Sequence, residues 1–100
     1  MDFSKANVVS EFMQYKNATF GIEFKVKLEI HNIANNWTPI KTDLIIENNI
    51  PKDDFTFVFM NDIVRDYLGN VQIDMNYLSN MKFDGKYLFF STNSKKVRLS

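Results

Sequence analysis

The chain has 100 residues, of which 45% are hydrophobic and 15% aromatic, and its 12 basic and 12 acidic residues give a formal net charge of zero. This size fits a single globular domain, residues 1–100, whose core needs no cross-link. The absence of cysteine excludes a disulfide scaffold, a thiolate metal site and a cysteine nucleophile.

The amino terminus and the apolar segments indicate the compartment. The first residues lack a basic patch followed by an apolar run, so we predict no signal peptide. The apolar stretches are shorter than the ~20 residues that a membrane helix needs. We therefore expect a cytoplasmic protein that has no membrane partner.

Residues 4–16 are predicted to form a short N-terminal helix. Ser4 is suited to cap its start, and Asn17 can end it in a left-handed conformation. The apolar residues at helical spacing are Val8, Val9, Phe12 and Met13. A strand over residues 8–15 is the competing interpretation, because adjacent valines suit a strand.

Residues 20–31 alternate strictly between apolar and polar side chains, which predicts a strand with one dry and one wet face. The apolar set is Phe20, Ile22, Phe24, Val26, Leu28 and Ile30; the polar set is Glu23, Lys25, Lys27, Glu29 and His31. A polar loop over residues 32–39 is expected to follow, and it contains the only tryptophan, Trp37.

Further strands are predicted over residues 40–47 and 55–60. The second of these is apolar on both sides, so we expect both of its faces to be covered. A loop around Pro51 separates the two strands, since proline cannot donate to a central ladder.

The segment 61–69 fits a short helix that ends at Gly69, with a strand turning at Gly69-Asn70 as the rival interpretation. Residues 71–77 alternate and predict another strand. Its apolar face would carry Val71, Ile73, Met75 and Tyr77.

Asp84-Gly85 is the strongest hairpin signal, because both residues tolerate the positive φ of a two-residue turn. In that register Phe83 pairs with Lys86 and Asn80 with Phe89. One face would carry Met81, Phe83, Leu88 and Phe90, and the other Asn80, Lys82, Tyr87 and Phe89. A last short strand is predicted over residues 96–99.

These elements predict an α+β, β-dominated fold: an antiparallel sheet of five to seven strands with a short N-terminal helix. An all-β sandwich is the alternative.

The residues that could perform chemistry are few. His31 is the only histidine and lies on a charged strand face. The chain contains no nucleophile elbow, zinc-protease motif or phosphate-binding loop, and its aspartates lack the spacing of a calcium loop. We therefore predict that the protein is not an enzyme and has no cofactor and no metal site.

Aromatic side chains on a polar hairpin face favour protein binding. Tyr87 and Phe89 are candidate hot-spot residues, and Lys82 and Asn80 would form a polar rim. Trp37 completes the set of candidate partner-binding residues. We expect a small non-enzymatic protein-binding module of the inhibitor, immunity or phage anti-defence type, acting through a sheet face or edge. We expect the partner to be another protein, and zero net charge is also compatible with a homo-oligomer.

Two alternatives remain. Tyr87, Phe89 and Lys82, with a small basic cluster over residues 95–98, could serve a β-barrel that binds single-stranded nucleic acid. The balanced charge makes nucleic acid the less expected partner. Trp37 beside Asn35 and Asn36 has the ingredients of a carbohydrate site in a β-sandwich.

Overall fold

The structure of the protein is a computed structural model that describes residues 5–32, 34, 36–50 and 54–100. Within these ranges the helices are α1 (Lys5–Lys16) and α2 (Ile63–Leu68), with a 3₁₀ turn at Met75–Tyr77. The strands are β1 (Phe24–His31), β2 (Trp37–Asn49), β3 (Asp54–Phe59), β4 (Gln72–Asp74), β5 (Ser79–Phe83), β6 (Leu88–Ser91) and β7 (Lys96–Leu99).

The strands form one curled antiparallel sheet in the order β4-β3-β2-β1-β7-β6-β5. The predicted α+β fold, a β-dominated antiparallel sheet with an N-terminal helix, is confirmed. The alternative of an all-β sandwich is wrong, because a helix and the curl of a single sheet enclose the core.

The N-terminal segment is helical, so the rival strand over residues 8–15 is wrong. Val9, Phe12 and Met13 are buried, and α1 packs against β5 and β6 on the inner face of the sheet. Asn17 ends the helix at a φ of 55°, as predicted. The predicted cap Ser4 lies outside the described residues.

The core lies inside the curl of the sheet. Leu28 of β1 and Phe57 of β3 are fully buried, and the Phe57 ring contacts the Phe90 ring of β6 at a centroid distance of 5.9 Å. Alternation along each strand places the apolar residues on this side. The curl brings the two halves of the inner face into contact, so one sheet makes most of the core.

The long alternating strand is shorter than predicted, because β1 begins at Phe24 and not at residue 20. Gly21 has a φ of +77°, and its N–H donates to the Ile46 carbonyl at 3.0 Å. This left-handed residue turns the chain, and Phe20 and Ile22 are 39% and 61% exposed. Their assignment to the dry strand face is therefore wrong.

The predicted loop over residues 32–39 is wrong at its end, because β2 already begins at Trp37. The Asn32 Oδ1 accepts hydrogen bonds from the N–H groups of Ala34 and Asn36. These bonds close a tight connection, so Trp37 pairs directly with His31 of β1. The strand predicted over residues 40–47 is confirmed as the centre of a longer β2.

In the middle of the chain, β3 and α2 are confirmed. Gly69, with a φ of 84°, ends α2, so the rival strand is wrong there. Val58, on the outer face of β3, is only half-buried. The expectation that both faces of this strand are covered is therefore met only in part. The strand predicted over residues 71–77 stops at Asp74, whose side chain accepts the Asn76 N–H, and Tyr77 is 78% exposed.

The hairpin forms where Asp84-Gly85 predicts it, but its register differs. Phe83 pairs with Leu88 and Lys82 with Phe89, so the connection spans residues 84–87 rather than two residues. The Asp84 Oδ1 accepts the N–H groups of Lys86 and Tyr87 and holds this wider turn. The shift equals two residues, so Lys82, Phe83, Leu88 and Phe89 stay on their predicted faces. Between Ser79 and Lys82 an irregularity, with Asn80 at a φ of 54°, interrupts the alternation of β5.

Candidate functional site

The outer face of the sheet gathers aromatic side chains from distant parts of the chain. Arg98 of β7 lies opposite Glu29 of β1 and opposite Phe89 of β6. Trp37 and Tyr87 lie on either side of this line. We call Trp37, Tyr87, Phe89 and Arg98 the aromatic–arginine cluster; none of its members is fully buried.

Arg98 holds the cluster together. Its guanidinium carbon lies 4.2 Å from the Trp37 ring centroid and 4.3 Å from the Tyr87 ring centroid. Each ring therefore turns one face toward the cation, the arrangement that its quadrupole favours. Phe89 contacts Tyr87 at a centroid distance of 5.9 Å.

Glu29 fixes the orientation of Arg98. The arginine Nε and Nη2 donate to the two carboxylate oxygens at 3.0 and 3.2 Å, forming a two-point fork. Glu29 is only 7% exposed although it lies on the outer face. A carboxylate this buried needs its cation, because the unpaired charge would lose hydration without compensation. The ion pair therefore holds Arg98 and the rings around it in one arrangement.

A basic and polar rim surrounds the cluster. Lys82 lies opposite Phe89, and the Lys86 Nζ lies 5.2 Å from the Tyr87 ring centroid. Asn80 and Lys96 border an open depression of about 540 Å³ that Trp37 also lines.

The hairpin turn fixes the backbone of Tyr87, because its N–H donates a hydrogen bond to the Asp84 side chain. The hydrogen bonds that Tyr87 N–H and Lys86 N–H donate to the Asp84 side chain lower the pKa of that carboxyl. The ionised form accepts these bonds best, so the turn is held by a charged group at neutral pH.

All five residues predicted to bind a partner lie on or beside this outer surface. The structure brings Trp37, Tyr87 and Phe89 into one cluster, and Lys82 and Asn80 border it. The sequence interpretation missed the role of Arg98 and Glu29. The alternation of β7 places Arg98 opposite to its buried neighbours, but only the pairing of β7 with β1 reveals its partner.

His31, the only histidine, packs its ring against Trp37 at a centroid distance of 5.0 Å. Within the described part of the chain, no three His, Cys, Asp or Glu side chains are grouped closely enough to hold a metal ion. Neither described helix is long and apolar enough to cross a membrane.

The region around α2 and β4 has a different character. An open cleft of about 940 Å³ lies between α2, β4 and the turn that joins β6 to β7. Its lining includes Tyr67 and Tyr77 and the carboxylates of Asp66 and Asp74, and no basic residue among the described ones.

Comparison with known proteins gave no relatives: the chain matched no protein-family model, no curated protein and no solved structure.

Proposed function

We propose that the protein is a non-enzymatic binding protein that attaches to another protein through the aromatic–arginine cluster. Inhibitors, immunity proteins and phage-encoded anti-defence factors are proteins of this kind. The main support is the arrangement of Arg98, whose guanidinium lies over the rings of both Trp37 and Tyr87 and pairs with Glu29. Aromatic and arginine side chains dominate interface energetics, and a set held in place before binding loses less entropy.

The orientation of the rings favours a protein over single-stranded nucleic acid. Base stacking needs a free, flat aromatic face. Trp37 and Tyr87 each turn a face toward Arg98, and the Lys86 ammonium lies over the Tyr87 ring as well. A carbohydrate site at Trp37 meets the same obstacle, because sugar rings also pack on an open aromatic face.

A matched pair of double variants tests the proposal. Tyr87→Ala/Phe89→Ala removes two rings of the cluster, whereas Tyr67→Ala/Tyr77→Ala removes two exposed rings at the cleft beside α2 and β4. Immobilised wild type and both variants are incubated with nuclease-treated extract of the native host. We expect one protein species to be retained by wild type and by the cleft variant, and lost with the cluster variant.

Circular dichroism must show that both variants remain folded at the binding temperature. Equal retention of that species by the cluster variant and the wild type would refute the proposed function. Loss with the cleft variant alone would move the binding site to the cleft beside α2 and β4.

A further inference from the structure

The zero net charge of the chain hides a charge gradient across the sheet. Residues 54–78, which form β3, α2 and β4, contain four acidic residues and one basic residue. Residues 79–100, which form β5, β6 and β7, contain five basic residues and one acidic residue. The acidic group lies at the β4 end of the strand order and the basic group at the β5 end.

Further basic residues lie on and beside the outer face of β1 and β2. Lys16, Lys25, Lys27 and Lys41 line an open depression of about 430 Å³, with Asp43 as the acidic residue at its border. Asp43 lies 3.9 Å from Lys25, so its charge is already shared with a cation. This depression and the aromatic–arginine cluster occupy the same face.

One pair in this area is unfavourable for folding. Lys27 lies directly opposite Lys41 in the β1–β2 ladder. Directly opposed like charges destabilise a sheet. Among the described residues neither lysine has an acidic side chain within 4.0 Å. A like-charge pair on an exposed face favours a partner that supplies the opposite charge.

We infer that the partner's docking surface is acidic, and that its carboxylates lie over the lysine depression while its centre covers the aromatic–arginine cluster. This inference rests on the proposed function and adds the chemistry of the partner. The acidic residues around α2 and β4 repel such a surface, so the uneven charge also favours an encounter at the lysine depression.

The Lys27→Glu variant tests the inference because it should raise the stability of the protein while weakening its binding to an acidic partner. The new glutamate faces Lys41 across the ladder, so the melting temperature should rise. The probe for binding is a random copolymer of glutamate and tyrosine, compared with an oligo(dT) of about 30 nucleotides. Arg65→Glu, on α2, is the control with the same charge change.

We expect wild type to bind the copolymer at about 50 mM salt and to weaken as salt rises. Lys27→Glu should bind it roughly tenfold more weakly while melting higher. Arg65→Glu should stay within about twofold of wild type. Equal affinity of Lys27→Glu and wild type, or no binding by wild type, would overturn the inference.

Two other outcomes would show that something other than an acidic protein binds this face. Tighter binding of oligo(dT) than of the copolymer at about 150 mM salt would identify a nucleic acid. Self-association of wild type that Lys27→Glu abolishes would identify a second copy of the chain. Capture of the host protein that depends on Tyr87 and Phe89 but not on Lys27 would remove only the charge inference and leave the proposed function standing.

Discussion

The two faces of the sheet both carry aromatic clusters, but different forces hold them. On the inner face, Phe57 contacts Phe59 and Phe90 at centroid distances of 6.3 and 5.9 Å, and all three rings are at most 2% exposed. On the outer face, half-buried rings surround Arg98. Burial from water stabilises the first cluster, whereas a buried ion pair and cation–π contacts order the second. The comparison separates residues that make the fold from residues that are available to a partner.

The largest effect is expected on the inner face. Phe57→Ala removes a fully buried ring and leaves a cavity between β3 and β6, which should lower the free energy of unfolding by about 4 kcal/mol. Urea denaturation followed by circular dichroism measures this loss. A loss below about 1.5 kcal/mol would mean that the curled core is packed differently.

A smaller loss is expected on the outer face, and it should have a polar cause. Arg98→Ala leaves the Glu29 carboxylate buried without its cation, which should cost roughly 3 kcal/mol. The double variant Glu29→Gln/Arg98→Ala should recover part of that loss, because the stranded charge is gone. The same urea titration compares both variants, and no recovery would show that Arg98 acts through packing alone.

The smallest effect concerns the hairpin turn and depends on pH. The hydrogen bonds from Tyr87 N–H and Lys86 N–H lower the pKa of Asp84 in the folded state below its ordinary value of 3.8. The ionised carboxylate therefore favours the folded turn at pH above 3.8, and this contribution is lost as the pH falls through the lower folded pKa.

Carbon-detected NMR titration of the Asp84 carboxyl measures that pKa directly. In Asp84→Asn the side chain still accepts hydrogen bonds but cannot titrate, so protection of the Tyr87 amide should no longer depend on acid pH. An Asp84 pKa at or above 3.8 would contradict the turn geometry.

The sequence predicts the elements where a local pattern decides the conformation. The apolar spacing over residues 4–16, the β1 alternation from Phe24 onward and the glycine after α2 each have a short-range cause. The pattern fails where one residue changes the backbone direction. Gly21 and the side-chain cap of Asp74 end strands that the alternation alone would extend.

Local periodicity also predicts part of the candidate site, but not the contacts that depend on strand order. Hairpin periodicity places Tyr87 and Phe89 on one face whether the register is right or shifted by two residues. The contact between Arg98 and Trp37 depends on which strands are neighbours, and strand order is not encoded in local spacing. The charge gradient was hidden for the same reason, since it exists only once β4 and β5 are known to be opposite edges.

The most direct test of the central claim places a photocrosslinking benzoylphenylalanine at one position in the native host. Lys82, at the rim of the cluster, is the test position, and Tyr77, at the cleft beside α2 and β4, is the control; both are exposed. We expect a crosslink to one other protein from position 82 and none from position 77. A protein crosslink from position 77 with none from position 82 would contradict it.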